Sequence, residues 1–109
     1  MSDPQQPFEE RTYQVFNSRR TVGVAAGYGG HTKGIHLSDK CSAMNEQTLA
    51  KEIEDTAAVA TSRGLLAVRE KIEQKAQEAG SGVDPGVYDY LPDVPTQEQH
   101  EAFKRNNLK

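Results

Sequence analysis

The chain has 109 residues, of which 35% are hydrophobic and 6% aromatic, with no Trp and a formal net charge of −3. That length fits one small domain, and so lean an apolar content cannot pack a core along all of it. The acidic balance argues against a bulk nucleic-acid binder, and the single cysteine, Cys41, excludes an internal disulfide framework. No apolar run approaches the roughly 18 residues that span a bilayer, and residues 1–10 have neither a basic start nor an apolar stretch. A soluble chain without membrane insertion or a secretory signal is expected.

Charge divides the chain into three. Residues 1–10 carry Asp3, Glu9 and Glu10 and no base, and read as a disordered acidic arm. Residues 11–75 carry ten basic against seven acidic residues, and residues 76–109 three basic against six acidic. A mildly basic middle thus lies between two acidic arms, which read as solubilising tails or, more sharply, as a cover for a basic surface of the middle.

Three stretches with a period of two open the middle: Thr12–Asn17, Thr21–Ala26 and Gly34–Ser38. The turn-forming segments 17–20 and 27–31 separate them, so an antiparallel three-stranded meander is predicted. Its buried face carries Tyr13, Val15, Val22, Val24, Ala26, Ile35 and Leu37, while Gly23, Ala25 and His36 look the other way.

A long helix follows. Asn45 is a good N-cap, Glu46 suits the positive helix end, and Met44 with Leu49 has the spacing of a hydrophobic staple. Gly80-Ser81-Gly82 supplies the stop, so one helix is predicted from about Glu46 to about Ala79. At 1.5 Å per residue it is roughly 50 Å long and overshoots strands of about 20 Å. On the helix wheel Leu49, Ile53, Ala57, Ala60, Gly64, Ala67 and Val68 form one narrow face for close packing on the sheet. Val59, Leu65, Leu66 and Ile72 fall outside it, which leaves the stretch 64–68 apolar nearly all round. With no other element large enough to cover that stretch, residues 11–79 read as a homodimerisation domain. Val59, Leu65, Leu66, Val68 and Ile72 are its candidate dimer or partner interface.

Residues 80–109 hold Pro85, Pro92 and Pro95 and read as a largely disordered tail, with one short helix over 97–105. Thr96 and Gln99 have capping-box spacing for it, and Ala102 and Phe103 are its docking residues. The cluster 87–91 makes Tyr88, Tyr90 and Leu91 candidates for binding a partner.

The segments Tyr13-Gln14-Val15-Phe16-Asn17, Arg20-Thr21-Val22-Gly23-Val24, Gly34-Ile35-His36-Leu37 and Glu46-Gln47-Thr48-Leu49-Ala50-Lys51-Glu52-Ile53 resemble, in order, the EspD/EspH-like family of mycobacterial type VII (ESX) secretion-associated proteins. The likeness covers about residues 12–79 and includes no catalytic signature. It implies a fold like that of the YbaB/EbfC nucleoid proteins, dimers of a small antiparallel sheet with long helices. It further implies a cytoplasmic accessory or chaperone-like role toward a secretion substrate or component. Trp is absent, so there is no W-x-G, and neither Tyr88 nor Tyr90 has an acidic residue four positions on. The chain therefore looks less like cargo than like a helper.

Four places invite a chemical reading. Gly29-x4-Gly34 mimics the start of a Walker A loop, but Ile35 stands where Lys is required and no helix follows. His31, His36 and Cys41 are spaced by five, which fits no common metal pattern. Cys41 has no His or acid at a clear partner spacing, and Glu52, Glu54 and Asp55 read as a solvated helix face beside Lys51. A non-enzyme without cofactor or metal is expected. The alternative function is a YbaB-like DNA-binding dimer, with Arg11, Arg19, Arg20, Lys33 and Lys40 as candidate phosphate contacts.

Overall fold

The computed structural model describes residues 6–108. Strands β1 (Thr12–Phe16), β2 (Val22–Gly27) and β3 (Thr32–Leu37) form one antiparallel sheet in the order β1-β2-β3, followed by helices α1 (Glu46–Glu78) and α2 (Gln97–Asn107). Short 3-10 turns occupy Phe8–Glu10, Asp39–Ala43 and Pro85–Tyr90. The fold is α+β, a three-stranded meander followed by one long helix, as the periodicities predict.

The first hairpin is organised by one buried amide. Asn17, 3% exposed, accepts from the N–H groups of Thr21 (2.9 Å) and Val22 (3.1 Å) through Oδ1, and donates from Nδ2 to Thr21 Oγ1 (2.8 Å) and Glu52 Oε2 (3.0 Å). A side chain that satisfies its own turn and also reaches α1 fixes where the helix crosses the sheet. Cys41 Sγ donates to the Thr21 carbonyl (3.2 Å), closing the same end.

The second hairpin depends on glycine. Gly29 and Gly30 have φ of 85° and 95°, in the left-handed region. The Gly29 N–H donates to the Gly64 carbonyl of α1 (3.0 Å), and Thr61 Oγ1 donates to the Gly30 carbonyl (3.1 Å). A Cβ at Gly64 would stand 2.6 Å from Gly30 Cα and closer still to the Gly27 carbonyl, so only glycine lets the helix meet this turn.

Helix α1 starts and stops where its caps dictate. Asn45 Oδ1 accepts from the Thr48 N–H (3.0 Å), and Met44 and Leu49 both pack against the core. At the far end Gly80 has φ 73°, its N–H donates to the Gln77 carbonyl and the Ser81 N–H to the Ala76 carbonyl, which is a Schellman cap. The 33-residue helix sets the long dimension of 53 Å. It crosses from the Asn17 turn to the Gly27–Gly30 turn and then runs on past the sheet.

Val15, Val22, Val24 and Ala26 pack with Val59 and Ala60 as the core. Val24 stands between Val15 and Ile35 across the strands, and Val22 faces Leu37, so Ile35 and Leu37 point to the core side as expected. Their predicted burial is not met: Ile35 is 54% and Leu37 45% exposed, and all of β3 is open. Helix α1 lies over β1 and β2 and touches β3 little, which leaves the third strand bare.

The N-terminal arm and the tail depart from the expected disorder. Residues 1–5 of the arm lie outside the described residues, but the Phe8–Glu10 turn is held by an ion pair from Glu9 to Lys71 and by Arg11 stacked 3.8 Å from the Phe8 ring centre. In the tail, Thr96 and Gln99 form the capping box and α2 runs to Asn107, two residues beyond the predicted 105. His100 rather than Phe103 is the docked residue: His100 is 4% exposed and Phe103 36%. The two positions lie only about 60° apart around the helix, so burial is lost across the width of one face, and Leu108 at the end of α2 packs on the core.

Candidate interaction surfaces

The expected interface on α1 is largely used inside the chain. Val59 (0% exposed) and Leu66 (2%) are buried within the single chain and present nothing to a second copy. Leu65, Val68 and Ile72 are half-buried. The premise that no intrachain element could cover this stretch fails because α2 returns along α1. The return is pinned by polar contacts that spacing does not reveal. Arg69 donates from Nε to the Pro95 carbonyl (2.9 Å) and from a terminal nitrogen to the Val94 carbonyl (3.4 Å), and its guanidinium stacks 3.8 Å from the Tyr88 ring centre.

That stacking divides the predicted tail residues. Tyr88 is half-buried beneath Arg69, and burial, helped by nearby Glu73, pushes its hydroxyl above the ordinary tyrosine pKa. Tyr90, 86% exposed, and Val87 stand in solvent, and Leu91 is half-buried.

The five candidate phosphate contacts fall into two groups. Arg19, Arg20 and Lys40 gather at the end of the sheet where Ser38 pairs with Thr21. Arg11 and Lys33 lie at the other end, where Lys33 Nζ donates to Thr12 Oγ1 (2.9 Å). A strand of five or six residues, about 17–20 Å, separates the groups, so the chain has no continuous basic face joining them.

A cleft of about 690 Å³ lies between β1 and α2, lined among others by Tyr13, Val15, Arg63, His100 and Lys104. Arg63 stacks 4.2 Å from the Tyr13 ring centre and pairs with Glu70 (2.8 Å). His100 Nδ1 lies 2.9 Å from Ser62 Oγ, and burial pushes the imidazole below its ordinary pKa. Ser62 does not line the cleft although His100 does, so this hydroxyl and imidazole join two helices at its wall. His100 went unnoticed in the sequence because its signal, a histidine four residues after a capping threonine, reads as solvated helix surface.

His31 sits in the second turn, His36 in mid-strand and buried Cys41 at the Thr21 end, so the three do not converge. Among the described residues no group of three or more His, Cys, Asp or Glu side chains could hold a metal, and no helix is long and apolar enough to cross a membrane. No family model, curated protein or solved structure matches the chain.

Proposed function

We propose that this protein is a non-enzymatic homodimeric accessory protein that binds another protein in the bacterial cytoplasm, in a chaperone-like role toward a type VII secretion substrate or component. The observation that carries the binding role is the bare core-side face of β3, where Ile35 and Leu37 stand 54% and 45% exposed beside a valine row that is otherwise sealed. Apolar residues on the buried side of a sheet are normally covered, and a second chain is the economical cover. Tyr90 and Val87, exposed in the Pro85–Tyr90 turn after α1, supply a separate surface for the partner. The secretion setting rests on the resemblance of residues 12–79.

The test is purification of the tagged protein from its own host with mass spectrometry, with and without nuclease, beside light scattering of the pure chain. Co-purification of a secretion component regardless of nuclease, reduced by Tyr90→Ala, is expected. Nucleoid partners lost on nuclease treatment would replace this reading with the DNA-binding one. That alternative draws on the exposed group Arg19, Arg20 and Lys40, and it requires a low-salt gel shift abolished by Arg19→Glu with Arg20→Glu.

A further inference from the structure

The free edge of β3 is regular over a short, defined stretch. The Ser38 N–H donates to the Thr21 carbonyl (2.9 Å), and Gly23 and Ala25 of β2 face His36 and Gly34. Main-chain groups alternate in direction along an antiparallel strand, so Ser38, His36 and Gly34 turn inward to β2, and Ile35 and Leu37 turn theirs outward. A register shift opposite Ala25 and Ala26 leaves Lys33 as the extra residue of a bulge, and the 3-10 turn begins at Asp39. Bulges end pairing. The usable edge is therefore 34–38, and its middle residue is His36.

We infer that a second copy of this chain pairs with that edge, β3 against β3, about a two-fold axis through His36. The inference rests on the dimer reading above and adds its geometry. An antiparallel two-fold pairing must match outward groups with outward groups, which here allows Ile35 opposite Leu37 of the other copy and the reverse. Shifting the axis to Ile35 or Leu37 sets one of those residues against the bulge or the 3-10 turn and loses pairs. The His36-centred register uses all five residues and places four apolar side chains in one cross-strand cluster on the core side. A two-fold perpendicular to the sheet keeps both α1 helices on that side, flanking the cluster.

The other free edge does not offer this. Beside β1 stands α2, across the cleft lined by Glu101 and Lys104, and the apolar Val15 of β1 is already buried. A five-residue edge makes a small interface, so the association is concentration-dependent.

The experiment is a cysteine scan of the full chain with Ile35→Cys, His36→Cys and Leu37→Cys under mild oxidation, with light scattering over a concentration series. The native Cys41 is buried, so the unaltered chain is the blank. In the inferred register the two residues at position 36 form a non-hydrogen-bonded pair with Cα atoms about 4.5 Å apart, within disulfide reach, whereas like positions 35 and 37 are offset by two residues. His36→Cys is expected to convert most of the chain to covalent dimer, and the other two little. Ile35→Lys is expected to shift the mass from two chains to one with an unchanged far-ultraviolet spectrum. A dimer that crosslinks preferentially at 35 or 37, or at none of the three, overturns the register and leaves the dimer standing. A chain that scatters as a monomer at every accessible concentration removes both.

Discussion

Helix α1 has two flanks, and they are finished differently. On the β1 side α2 closes the molecule: His100 meets Ser62, Arg69 reaches the Val94 and Pro95 carbonyls, and Leu108 comes back to the core. On the β3 side no described residue of the same chain covers them, and Ile35 and Leu37 remain bare although their neighbours Val24 and Val22 are 1% and 0% exposed. The closed flank is held by polar groups that must be satisfied once buried, whereas the open flank offers apolar area and unpaired main chain. A sheet only three strands wide under one helix can be covered on one side by its own tail, and the other side is the one we propose a second chain covers.

What both flanks share is the seat of the helix, and the largest effects fall there. Gly64→Ala forces a Cβ into the Gly27 carbonyl and Gly30, backbone atoms that no rotamer change can move aside. A loss of about 3 kcal/mol is expected in urea unfolding, at the upper end for overpacking. A variant as stable as the parent would mean that the helix does not contact this turn. Asn17→Ala comes next. It strands the Thr21 and Val22 N–H groups in a buried turn and frees Glu52, at a cost of about 2 kcal/mol by the same measurement.

The cross-strand neighbours Val24 and Ile35 test the flanks directly. Val24→Ala opens a void in the sealed valine row and is expected to cost about 1–2 kcal/mol at any protein concentration. Ile35→Ala removes a half-exposed side chain, so at low concentration it should change the unfolding free energy by less than about 0.5 kcal/mol. Its effect should then grow as the protein is concentrated, because only the proposed dimer uses that side chain. Equal, concentration-independent losses would show that the β3 flank is already covered.

The sheet, its order and the seat of α1 were legible because each rests on a local signal: strand alternation, glycine turns, an N-cap with its staple, and Gly64 on the small-residue face. The cover was not legible. Ile35 and Leu37 alternate as correctly as Val22 and Val24, and alternation states which side a residue faces but not how far a helix reaches across that side. Similarly, the apolar belt 64–68 announced its need for burial but not the source, since the contacts that bring the tail back come from Arg69 and His100, residues whose composition signals solvent. Val59 and Leu66 therefore read as an interface for a second chain, although their own chain already buries them.

An effect confined to acid separates the closed flank from the open one by pH. His100 is buried and its pKa lies below the ordinary 6.5, with burial as the main cause and Arg63 and Lys104 opposing protonation against Glu101 and Glu70, which favour it. The unfolded chain therefore takes up this proton first as pH falls. The contribution is fully present above about pH 6.5 and is lost progressively as pH drops from there toward the folded value, no more steeply than about 1.4 kcal/mol per pH unit. His100→Gln keeps a polar partner for Ser62 but cannot titrate, so urea midpoints for parent and variant should run together above pH 7 and separate below 6.5, the parent falling faster. Parallel curves would mean that the imidazole is as hydrated folded as unfolded, and so that α2 does not close this flank.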